Sequence, residues 1–268
     1  MLVGKDLAEH FTHAEVSAKL PREHLKGARV NKQVPSETSL PGLSSGPSDR
    51  PTLICFSHLR WAFVFQRPQH LMTRFAATHH VLFWEEPEYV AGIGTARLRR
   101  SVCEGSGVEV LTPELDESLR GRDEDAELAA LLDAALIGAR GGIIRWYYTP
   151  MMLPFSQHVQ ADCVVYDCMD ELSAFRGAPP ELLDRERLLL EAADLVFTGG
   201  TSLYEAKRDR HSNVHAFPSS IDVPHFARAR KGGAVPAAQA AIAGPRLGFS
   251  GVIDERMDLE LLDWLSTN

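Results

Sequence analysis

Ala193-Asp194-Leu195-Val196-Phe197-Thr198-Gly199-Gly200-Thr201-Ser202 passes from an apolar run through a glycine pair into a helical segment. Its apolar part is too short for a helix and reads as a strand, and the glycines mark the turn that follows it. A helical pattern from Pro180 to Ala192 stands before it, and another from Thr201 to Arg210 stands behind. A strand held between helices is the repeating unit of a parallel sheet covered on both faces. Working outward, the same alternation recurs. Thr52 to Phe56, Val81 to Trp84, Val108 to Leu111, Gly142 to Trp146, Cys163 to Asp167 and Val214 to Phe217 read as strands. Gln66 to Ala77 and Asp123 to Ala139 read as helices. The expected class is α/β with a doubly wound, mostly parallel sheet and no repeat at solenoid period.

The two ends of the chain read differently. Residues 1–50 contain Pro35-Ser36-Glu37-Thr38 and Pro41-Gly42-Leu43-Ser44-Ser45-Gly46-Pro47-Ser48, a composition that resists compact packing, and are expected to form a mobile leader. Residues 51–226 form the main domain. Residues 227–245, rich in Ala, Gly, Arg and Pro, suit a linker. Arg246 to Glu255 reads as a fresh strand with a glycine turn, and Met257 to Leu265 as the helix behind it. Residues 246–268 are thus expected to begin a second α/β domain, with the sequence stopping before the rest of it.

Composition narrows the classes of partner. The 268 residues carry 28 Lys and Arg against 36 Asp and Glu, a net charge of −8, with no dense basic run, so nucleic acid is not an expected partner. Lys5, Asp6 and Glu9 interrupt the start before an apolar signal region forms, and no stretch approaches the ~20 apolar residues of a spanning helix. The expected location is the cytoplasm, with peripheral membrane contact left open. Cys55, Cys163 and Cys168 lie in or beside apolar strands, and Cys103 lies in a loop-like region. No pair has the spacing of a zinc or redox motif, and buried free thiols are expected.

In a sheet of this kind ligands bind at the carboxyl ends of the strands. Ser57-His58-Leu59-Arg60-Trp61 follows the first strand, and Gln66-Arg67-Pro68 opens a helix whose first amides, with Arg67, could hold an anionic or hydroxyl-rich ligand. Alternatively Arg67 pairs with a nearby carboxylate and His58 caps the turn. Glu85 and Glu86 end the second strand, Glu86 reading as loop charge. Tyr166-Asp167-Cys168-Met169-Asp170-Glu171 ends a strand in three carboxylates within five residues, able to bind sugar hydroxyls, act as a general base or bind a metal. Each has a structural rival. Asp170 could cap a helix, and Asp167 could accept from loop amides. No His or further acid stands at metal-ligand spacing beside them. Gly199 and Gly200 read as a connection permitted by small residues, lacking a dinucleotide fingerprint. Phe217-Pro218-Ser219-Ser220-Ile221-Asp222 follows the last strand.

Five segments in order carry a resemblance. They are Gln66-Arg67-Pro68-Gln69-His70-Leu71, Tyr166-Asp167-Cys168-Met169-Asp170, Ala193 to Leu203, Pro218-Ser219-Ser220-Ile221-Asp222 with His225-Phe226, and Gly248-Phe249-Ser250-Gly251-Val252-Ile253-Asp254. Together, over Pro51 to Leu265, the chain resembles a bacterial glycosyltransferase of the GT-B fold, of the group-1 or family-4-like type that builds surface polysaccharide. The resemblance implies a Rossmann-like acceptor-side domain, a nucleotide-sugar donor as substrate, a small-molecule or glycan acceptor and no other cofactor. It implies Asp167 and Asp170 as acceptor-orienting or deprotonating groups, and Ser57, His58, Arg67, Glu85, Glu171 and Ser219 as substrate contacts. Gly248 and Gly251 would form the first donor-side loop. The glycine-rich loop many members carry after the first strand is replaced here by Ser57-His58-Leu59-Arg60-Trp61. The donor domain's basic residues and paired glutamates would lie beyond Asn268, so little turnover is expected of this chain alone. Two other classes stay open: a non-catalytic carbohydrate- or partner-binding module, and a nucleotide-sugar epimerase or mutase.

Overall fold

The structure is a computed structural model that describes residues 50–122, 124–249 and 257–267. Of the expected leader, residues 1–50, all but Arg50 lies outside the described residues, as do Ser250 and Gly251 of the expected glycine turn. The described residues divide into two units, one within 50–221 and the other comprising 222–249 and 257–267.

The first unit holds a nine-stranded sheet: β1 (Thr52–Phe56), β2 (His80–Trp84), β3 (Glu88–Val90), β4 (Arg97–Val102), β5 (Glu109–Asp116), β6 (Ile143–Tyr147), β7 (Cys163–Cys168), β8 (Leu195–Thr198) and β9 (Val214–Ala216). β2 meets β5 at Glu109 to Leu111, where β4 also pairs, so β2 and β4 lie on opposite edges of β5. β3 and β4 both pair with Glu114, which places β3 on the β2 side as its continuation. Across the sheet the order is therefore β4, β5, β2 with β3, β1, β6, β7, β8, β9. All pairings are parallel except β4 with β5. The chain winds outward from β1 to β5, then returns to β6 on the other side of β1. In open α/β sheets such a reversal is where a ligand crevice lies, here beyond the carboxyl ends of β1 and β6.

Alternation along the strands divides the core. Leu53, Cys55, Val81, Phe83 and Trp146 point to one face, against Met72 of α1 (Arg67–Phe75). Ile54, Phe56, Leu82, Trp84 and Tyr147 point to the other. There they meet Leu128 and Leu132 of α2 (Asp125–Leu136), Leu153 and Phe155 of α3 (Leu153–Ser156), and Leu189 and Leu190 of α4 (Leu182–Ala192). A fifth helix, α5 (Thr201–Lys207), links β8 to β9. Inner strands such as β1 and β2 are apolar on both faces because both faces are covered.

Two expectations change. β5 runs through Thr112 and Pro113 to Asp116, well past Leu111, and the polar stretch Arg97–Val102 forms β4 beside it. Arg97 and Arg99 of β4 bond Glu114 at 2.6 and 2.9 Å, and Arg100 bonds Glu109 at 2.6 Å, so ion pairs across the hairpin replace the apolar pattern that usually signals a strand. Charged arginines also suit an edge strand, because they discourage pairing with another chain.

In the second unit, the described residues form α6 (Val223–Phe226), a short 3-10 turn at Ala227–Lys231, α7 (Ala237–Ala240) and α8 (Leu259–Thr267). The helix expected from Met257 is present as α8. The strand expected from Arg246 is not formed at 246–249, which are irregular, and its remainder lies outside the described residues.

Candidate functional site

The register places the candidate residues of the first unit along the carboxyl edge of the sheet. Phe56 pairs with Trp84 and Tyr147, so Ser57 and Glu85 leave neighbouring strands side by side. Tyr147 pairs with Tyr166, bringing Asp167 to the far side of β6. Thr198 pairs with both Cys168 and Ala216, so Gly199 and Phe217 continue the row.

Arg67, at the first position of α1, ties this row together. Its Nε donates to both oxygens of Asp167 at 3.0 Å and its Nη2 lies 2.8 Å from Oδ1. Nη1 donates to the Phe217 carbonyl. The side chains are 9% and 0% exposed, so this is a buried ion pair linking residues 100 apart in sequence. Burial pushes the Asp167 carboxyl above its ordinary value while Arg67 pulls it down. Tyr148 and Trp146 turn toward the same carboxylate, and burial, reinforced by the Asp167 charge, pushes the Tyr148 hydroxyl well up.

The loop after β1 is held from beneath. Glu85 accepts from the Trp61 N–H at 2.7 Å, from Thr112 at 2.8 Å and from Arg60 at 3.1 Å. Gln69, fully buried on α1, accepts from the Gln66 N–H at 3.1 Å and donates to the Trp61 carbonyl at 3.2 Å. Ser57 is fully buried, and its hydroxyl accepts from the Leu59 N–H at 3.0 Å, closing the turn that leads to half-buried His58.

On the other side, main-chain bonds stitch three loops together. The Gly199 N–H donates to the Cys168 carbonyl at 2.9 Å, and the Ser219 N–H donates to the Gly199 carbonyl at 3.3 Å. A side chain on Gly199 would put Cβ 2.8 Å from the Met169 carbonyl oxygen, so only glycine permits this approach, whereas the space around Gly200 is open. Asp170 and Ser219 are exposed on this surface. Glu171 is turned aside: its carboxylate accepts from Ser173 at 2.8 Å and pairs with Lys207 at 2.9 Å.

The structure therefore brings Arg67 into contact with Asp167 and sets Asp170 and Ser219 on adjoining loops, while Asp167, Glu85 and Glu171 have their carboxylates engaged by protein partners. Gly248 lies in the second unit. Gln69, Thr112 and Lys207 were not expected at the site. Gln69 was legible as the third residue after Gln66 at a helix start, whereas Thr112 and Lys207 are recruited from elements distant in sequence. Among the described residues no group of three His, Cys, Asp or Glu is set to hold a metal ion, and no helix is long and apolar enough to cross a membrane.

No protein-family model matches the chain, and no curated protein matches it. Among solved structures, the chain is similar to one described as "Trehalose-6-phosphate from E. coli bound with UDP-2-fluoro glucose", with a TM-score of 0.48 and 14% identity. The match covers 70% of this chain and 53% of that one, so the chain spans about half the length of the structure it matches.

Proposed function

We propose that this chain is the acceptor-side part of a glycosyltransferase of the GT-B type, which moves a sugar from a nucleotide-sugar donor to an acceptor hydroxyl in surface polysaccharide synthesis. The observation that carries this reading is the stitched carboxyl edge, on which residues of the resembling segments, Arg67, Asp167, Gly199 and Ser219, are joined by hydrogen bonds. A preformed polar surface of this kind can hold a hydroxyl-rich ligand in one orientation, which is where much of the advantage of bound reactants comes from. In this reading exposed Asp170 orients the acceptor hydroxyl and takes its proton, and Ser219 adds a hydroxyl contact. Asp167 holds Arg67 in place, and Arg67 fixes the Phe217 loop. His58 lines the crevice from the β1 side, and Gly248 and Gly251 belong to the donor side.

The test is binding and turnover with the purified chain. Nucleotide sugars and simple glycosides are titrated while amide shifts are followed by NMR, and release of nucleoside diphosphate is measured in parallel. Glycoside-dependent shifts at 168–171 and 217–220, weakened at least ~10-fold in affinity by Asp170→Ala, are expected for a contact worth about 1.4 kcal/mol. Absence of both glycoside binding and diphosphate release removes the proposal. A second reading, a non-catalytic carbohydrate-binding module, is favoured by the engagement of Asp167, Glu85 and Glu171 in internal contacts. It predicts the same shifts with no diphosphate release, even when a donor domain is supplied.

A further inference from the structure

Lys207 ends α5 with its side chain 2% exposed, and the chemistry proposed above makes no use of it. Its Nζ lies 2.7 Å from Oε1 and 2.9 Å from Oε2 of Glu186, a carboxylate 3% exposed on α4. Glu186 also accepts from the Tyr166 hydroxyl at 2.9 Å and from Arg210 at 2.7 Å. A buried carboxylate with three donors is satisfied, and the charge around it is not balanced by Glu186 alone: Lys207 and Arg210 bring two positive charges to one negative. The fourth member restores neutrality. Glu171, on the loop after β7 and 34% exposed, reaches Lys207 at 2.9 Å. Taking a lysine out of water is costly unless it is paired and hydrogen-bonded, so the excess positive charge draws the Glu171 carboxylate inward. Burial lowers the Lys207 pKa, but Glu186 and Glu171 outweigh it and raise the group above its ordinary value, so the ammonium stays charged.

We propose that Lys207 is a positioning residue for the carboxyl edge: through Glu171 it fixes the loop 169–174, and with it Met169 against Gly199 and Asp170 at the surface. The loop leaves β7 where the Gly199 N–H donates to the Cys168 carbonyl, the Cys168 thiol reaches the Asp170 carbonyl at 3.5 Å, and the Lys207 ammonium holds Glu171 beyond it. The inference deepens the function proposed above, since Asp170 is the acceptor-side acid in that reading. The tie itself can be tested without activity.

Hydrogen–deuterium exchange is followed by mass spectrometry on the full chain and two variants. Glu171→Gln removes the charge at the surface end of the tie and leaves Lys207 its ion pair with Glu186. The double variant Lys207→Met/Glu186→Gln removes the buried charges together and leaves Glu171 in place. In both, peptides covering 169–174 are expected to exchange at least ~10-fold faster while those of β7 and β8 keep their rates, as local opening without global unfolding requires. Wild-type exchange of the loop in Glu171→Gln overturns the proposal, and so does wild-type exchange in a folded double variant. Where transfer is measurable, the acceptor KM rises in both variants and the donor KM does not. Lack of turnover in the wild-type chain counts against the function and leaves the exchange result to decide the tie.

Discussion

Gly199 and Gly200 are adjacent and identical in type, yet the structure asks different things of them. Adding Cβ at Gly199 drives it to 2.8 Å from the Met169 carbonyl oxygen and 3.0 Å from its Cα, and backbone atoms cannot rotate away. Gly199→Ala is expected to destabilise the fold by about 1–3 kcal/mol. Gly200→Ala, with nothing within 4 Å, should cost less than about 1 kcal/mol, the difference between cap residues at the start of α5. Urea denaturation of both variants measures the contrast, and equal costs would refute the steric account. The cysteines differ by the same kind of local circumstance. Burial, with the Asp167 charge adding to it, pushes the Cys55 thiol well up, and burial pushes Cys168 to about 11. Because thiolates are the reactive form, neither should react with Ellman's reagent at pH 8 in the native protein, and both should react in 6 M guanidinium. Rapid native labelling of either, located by peptide mapping, would contradict their burial.

Among the elements, α4 and α5 are joined by the Glu186–Lys207 contact, and its charge makes that joint pH-dependent. Burial raises the Glu186 pKa, but Lys207, Arg210 and Tyr166 together outweigh it and hold the group below its ordinary value of 4.5. A folded-state value below the unfolded one contributes stability above the unfolded pKa, and this contribution is lost as pH falls through the folded value. The urea midpoint should therefore drop as pH is lowered from about 4.5, and the Glu186→Gln variant, less stable at pH 7, should show a shallower drop over that window. Parallel slopes for the two proteins would show that other carboxylates govern acid unfolding. At the opposite extreme Lys207, raised above its ordinary value, contributes stability that is lost only as pH rises past about 10.4. Elements were also where the pattern of residues misled. The strand β4, Arg97-Leu98-Arg99-Arg100-Ser101-Val102, has no apolar alternation because its residues pair by charge with Glu109 and Glu114 on β5. The strand expected to end at Leu111 runs on through Pro113, which sits within β5 opposite Leu98.

At the scale of the molecule, the nine strands among the described residues all fall between Thr52 and Ala216. A fragment covering residues 50–221 should consequently fold and unfold in one cooperative transition by near-UV circular dichroism. A fragment with helical signal but no near-UV spectrum would show that the sheet needs more of the chain than it contains. Much of the architecture was readable before folding. The strands Thr52–Phe56 and Leu195–Thr198 match their apolar runs residue for residue, because a strand covered on both faces must be apolar throughout. The alternation of such runs with helical patterns implied the parallel winding, and the winding implied that polar residues after each strand share one edge. What no linear reading could supply is which of those polar groups face one another. Arg67 finds Asp167 across 100 residues, Glu85 finds Thr112 on a strand whose length was misjudged, and Glu171 turns from the crevice to a lysine that looks, in the chain, like part of a helix's polar face. Periodicity records burial along one element, whereas ion pairing depends on the distance between two, and that distance exists only after the sheet has closed.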